Sequence, residues 1–104
     1  DSEYPLILRL RSIDRSAPNP DGCEWIVGFY AVPPPPGVQP PATGVLVPRG
    51  DWYAFQSGNL LDASNPQGFA NRGCPVPTHL LRVEVGTSGH DYVSEIDQLA
   101  VWVE

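Results

Sequence analysis

The chain has 104 residues, and its thirteen prolines and ten glycines leave little room for long uninterrupted helices. An apolar share of 41%, including three tryptophans, four tyrosines and three phenylalanines, is enough for a core and argues against disorder. The net charge of −6, with twelve acids against six arginines and no lysine, excludes the clustered cationic face that nucleic acids and anionic membranes require.

No apolar run approaches the roughly 20 residues of a membrane span, and no signal-peptide pattern opens the chain. The first residue, Asp1, without an initiator methionine, fits a processed chain.

In chain order, Leu6, Leu8 and Leu10 alternate with Ile7, Arg9 and Arg11, the period of two expected of a half-buried strand. Residues 15–22 are rich in proline, asparagine, aspartate and glycine and read as a turn. Residues 23–32 are apolar on both faces and predict a central strand covered on two sides. Within it Gly28 marks a bulge or the close approach of another chain. Six prolines in residues 33–43 predict an extended polyproline-type excursion that cannot donate a ladder of hydrogen bonds.

Two short strands, residues 45–47 and 51–56, are expected on either side of Pro48-Arg49-Gly50. Residues 57–77 lose all periodicity, so a turn of helix hides near Leu60 or the loop itself is functional. Residues 79–85 predict a strand with Leu81, Val83 and Val85 on one face. Residues 86–91 then read as a turn, and residues 92–104 as a returning strand with Leu99, Val101 and Val103 inward. Many short strands with rich turns predict an all-β chain. The expected architecture is a single antiparallel β-sandwich domain over residues 1–104, as a jelly roll or an immunoglobulin-like Greek key.

Cys23 and Cys74 are the only cysteines and read as one disulfide in an oxidising compartment, which points to a secreted or surface-located protein. Trp52 and Tyr53 are adjacent, so strand alternation sends them to opposite faces and leaves one exposed. Exposed tryptophan and tyrosine stack on sugars and anchor protein interfaces. Together with Phe69 in the long loop, and with Arg49 and Asp51, they are the candidate ligand-binding residues. Arg49-Gly50-Asp51 also spells the integrin-type tripeptide, which a hairpin tip can present for adhesion.

Catalytic and metal chemistry is thinner. Two histidines, His79 and His90, with Ser88 and Asp91 nearby, are what a small hydrolase has available. Zinc sites use tight ligand pairs, which Cys23, Cys74, His79 and His90 do not form. The hard-oxygen candidates for calcium are Asp14 and Asp21, with Asp62, Asp91 and Asp97 in further loops. The reading is therefore a non-enzymatic extracellular recognition module, with calcium its one cofactor candidate, that binds a carbohydrate or protein surface. The alternatives are a small secreted hydrolase and a structural subunit of an extracellular assembly, such as a virion decoration protein or a filament. Such a subunit would self-associate through the edge of the apolar first strand, residues 4–10, from Tyr4 to Leu10.

Overall fold

The computed structural model describes residues 4–18, 20–39, 43–88, 94–96 and 99–100. The alternating leucines and arginines form β1 (Tyr4–Ile13), and the doubly apolar run forms β2 (Gly22–Tyr30). Among the described residues a three-residue strand, β3 (Gly44–Leu46), and a long one, β4 (His79–Ser88), give with them a single four-stranded sheet of order β3-β2-β1-β4. Among the described residues the chain is all-β apart from one short 3-10 helix, Phe69–Arg72.

The sheet is mixed rather than wholly antiparallel. β1 pairs antiparallel with both β2 and β4, whereas β2 and β3 run parallel, with Gly28 opposite Gly44 and Tyr30 opposite Leu46. Proline supplies the reason. The segment leaving Tyr30 cannot turn back as a hydrogen-bonded hairpin, so it runs outward and re-enters in the same direction, as parallel pairing demands.

β1 is therefore an interior strand, paired on both sides, and the open edge expected along residues 4–10, from Tyr4 to Leu10, does not exist. Residues 51–56 form no strand. They follow Pro48 and Gly50, the latter at φ +72°, and no neighbour offers them a ladder. β4 continues to Ser88, two residues beyond Gly86, where a turn was expected. The expected closing strand, residues 92–104, lies mostly outside the described residues, and its described parts, 94–96 and 99–100, are not strand. There the Ser94 hydroxyl donates to the Pro5 carbonyl at 2.6 Å, holding that stretch beside β1.

One face of the sheet carries the core. Leu10, Trp25, Val27 and Phe29 are buried there, with Leu6, Leu8, Cys23 and Val45 partly buried against them. Among the described residues the layer above this face is a loop, residues 57–77, rather than a second sheet. The loop builds its own scaffold. The Asn65 side-chain amide donates to the carbonyls of Ser57 and Asn59, and that of Asn71 to those of Ala63 and Asn65. Its helical turn falls at Phe69–Arg72, not near Leu60, and is stopped by Gly73 in the left-handed region at φ +74°.

Three ties dock this cap. Cys74 is bridged to Cys23. The Trp25 indole donates to the Gln67 carbonyl at 2.6 Å. Arg72 donates to the Ile26 carbonyl at 2.8 Å while its guanidinium lies over the Trp25 ring, 5.6 Å from the centroid. Arg72 thus occupies backbone of β2 that the short β3 leaves open, which blunts that edge.

The opposite face is thinner and polar. Ile7 lies between Gly28 on β2 and Gly86 on β4. A methyl group at Gly28 would sit 2.4 Å from the Tyr4 ring, so the close approach expected of this glycine is made by an aromatic side chain. Gly28→Ala should cost about 1 kcal/mol by displacing that ring. In urea titrations of the single and double variants, most of this cost should vanish in a Tyr4→Ala background.

Candidate functional site

The segment after β3 is pinned at both ends and free between. At its start the Val47 amide donates to the Tyr30 carbonyl at 2.8 Å, continuing the β3 alignment for one bond. At its end Phe55 packs edge-on against Phe29 with centroids 5.1 Å apart. Between these anchors Arg49, Gly50, Asp51, Trp52, Tyr53 and Ala54 are all exposed. Trp52 is 68% exposed and Tyr53 48%, so both aromatics stand out, not one of the two. Strand alternation fails here because the segment is not in a sheet.

The proline-rich segment lines the same open concavity as these aromatics. A turn closed by the Val38 amide on the Pro35 carbonyl, 3.0 Å, and by Gly37 at φ +84° carries Val32 and Val38 outward. Rigid proline neighbours hold these valines in water without further loss of chain entropy. Sequence reasoning missed them, although the signal was present: apolar residues inside a run that cannot join a sheet have no core to enter. Leu6, Phe29, Leu60 and Phe69 also line the concavity. Phe69 is only 6% exposed and belongs to the core, so it supports the site from beneath rather than at its rim.

An open concavity of about 1940 Å³ runs along this side of the molecule, and its lining includes Arg49, Asp51, Trp52, Tyr53 and Phe69. Small-molecule pockets span roughly 300–1,000 Å³ and enclose their ligands. This hollow is larger and open, which suits an extended chain or a protein surface. Arg49, Gly50 and Asp51 form an exposed turn at its rim, with the backbone at Gly50 in a conformation few other residues adopt.

The calcium candidates among the described residues, Asp14, Asp21 and Asp62, do not converge. Among the described residues no three of His, Cys, Asp or Glu lie close enough to hold a metal ion. Asp14 closes its own turn, accepting from the Ser16 hydroxyl at 2.5 Å and the Ser16 amide at 3.0 Å. These bonds hold its carboxyl below the usual carboxylate range. Asp62 does the same with the amide and hydroxyl of Ser64, and is lowered for the same reason. Asp21 is exposed, and Asp91 and Asp97 lie outside the described residues. His79 is exposed and its Nδ1 lies 2.8 Å from the Thr78 hydroxyl, while His90 lies outside the described residues.

These features define a disulfide-linked all-β protein with an aromatic-rimmed open surface. Comparison with protein-family models, with curated proteins and with solved structures finds no significant match, so the functional argument rests on this geometry.

Proposed function

We propose that this chain is a non-catalytic recognition module of an oxidising, extracellular setting that docks a protein surface in the hollow rimmed by Trp52 and Tyr53. The observation that carries this reading is Trp52, more than two-thirds exposed on a segment fastened at both ends. Leaving a large apolar ring in water is unfavourable by roughly 1.5–3 kcal/mol relative to burying it, and a fixed segment cannot collapse to hide it. Tryptophan, tyrosine and arginine are the residues that dominate protein interfaces, and here Arg49, Trp52 and Tyr53 share one rim. Exposed Val32, Val38 and Leu61 extend the apolar area around them, as partner-binding patches do. The disulfide supports the oxidising compartment.

A carbohydrate is the second reading. It is favoured by Arg49, Asp51 and Gln56, which line the same concavity as Trp52, polar groups of the kind that orient a stacked sugar. Defined arrays of glycans and of extracellular protein domains separate the two. Trp52→Ala should weaken the affinity of whichever partner binds by about thirtyfold, the loss expected of an interface hot spot, with unchanged circular dichroism. A folded Trp52→Ala variant that binds as tightly as the parent would end the proposal.

A further inference from the structure

We infer that two copies of this chain associate edge to edge through β4, each adding this strand to the other's sheet as an antiparallel, two-fold pair centred on Val83. The Gly28 amide donates to the Thr43 carbonyl on the β3 side, so by strand alternation Ile26, Gly28 and Tyr30 turn their backbone groups toward β3. Trp25, Val27 and Phe29 then turn theirs toward β1. Carrying this alternation across the register of β1 leaves the amides and carbonyls of Val83 and Val85 facing outward from the sheet.

Among the described residues no strand lies beyond β4. The other edge is kept short and is covered by Arg72, whereas β4 is ten residues long and carries no proline. Its apolar side chains are also open: Leu80, Leu81, Val83 and Val85 are 38–47% exposed. A long apolar edge with no strand paired to it among the described residues is a template for another strand.

Charge selects the occupant and the register. Arg82 and Glu84 flank Val83 and meet each other on the polar face. In a two-fold pair centred on Val83, Arg82 falls opposite the second copy's Glu84, and Glu84 opposite its Arg82. Val83 falls opposite its own counterpart, extending the apolar row of Leu8 and Leu10, and Val85 opposite the second copy's Leu81, which sits where the register of β4 against β1 shifts. Centring the pair on Arg82 would instead set arginine against arginine, and slipping by one residue would interleave the polar and apolar faces. Within one copy Arg82 also lies opposite Arg11, a like-charged neighbour that the second copy's Glu84 would offset. The edge is therefore complementary to itself, as a two-fold interface requires.

The test is sedimentation and light scattering of the full chain at physiological salt, with hydrogen exchange read at β4. The wild type should be a dimer with protected Val83 and Val85 amides. Arg82→Glu and Glu84→Arg should each weaken the dimer by about tenfold, since two attractive pairs become repulsive. Mixing these two singly substituted proteins should restore association as a heterodimer. Val83→Pro, which removes only an outward amide, should give a folded monomer. The inference is overturned by a monomeric wild type, whether its β4 amides exchange freely or are protected by another part of the same chain. It is equally overturned by a dimer indifferent to all three substitutions.

Discussion

Reduction of the Cys23–Cys74 bridge, or its replacement by Cys23→Ala with Cys74→Ala, should lower the unfolding free energy by about 4 kcal/mol. The bridge spans 51 residues, and closing a loop of that length removes this much chain entropy from the unfolded state. Domains of this size are stable by roughly 5–15 kcal/mol, so the loss is a large fraction of the whole. The effect should be concentrated on the cap. Cys74 is the last tie of the loop, and its amide also donates to the Phe69 carbonyl at 2.9 Å. Guanidinium titration with and without reductant measures the total. Hydrogen exchange should show the amides of Gly68, Phe69 and Cys74 losing protection before those shared by β1 and β2. A reduced protein as stable as the oxidised one would show that the cap holds by packing alone.

Trp25→Ala should be the most damaging single core substitution, at about 3–5 kcal/mol. The side chain is 1% exposed, at the centre of the buried cluster. It serves the sheet through its ring and the cap through its indole donor, and its loss also removes the surface on which Arg72 lies. Trp25→Phe separates the two roles. It keeps most of the packing but leaves the Gln67 carbonyl without its indole donor, so it should cost about 1–2 kcal/mol. Unfolding followed by far-ultraviolet circular dichroism gives both values. Equal losses in the two variants would mean that the hydrogen bond, not the volume, is what matters at this position.

Strand content was legible because period-two alternation is a local property. Leu6, Leu8 and Leu10, and likewise Trp25, Val27 and Phe29, announce their shared face from spacing alone. The disulfide was legible because two cysteines in a loop-rich chain have few other uses. Strand order was not legible, because nothing local in residues 4–10 says whether one neighbour or two will pair there. The role of residues 57–77 was hidden for a related reason. Their order comes from asparagine side chains bonding to distant carbonyls and from Trp25, so no periodic signal records it.

The candidate site was half visible. Trp52 and Tyr53 could be named from their chemistry, but their joint exposure depends on the segment not being a strand. Val32 and Val38 went unnamed although their place in a run that cannot join a sheet already left them without a core to enter.

The strand order has a consequence for how the molecule comes into being. Ladder partners such as Tyr4 and Ser88, or Ile13 and His79, come from near the two ends of the described sequence. β1 therefore leaves the ribosome well before β4, and in that interval an oily strand waits half-paired. Assembly of such non-local ladders is slow, and the nascent chain is exposed to clumping until β4 arrives. A helper that shields residues 4–13 during that interval, or a low concentration of growing chains, would raise the yield more than any change to the finished fold.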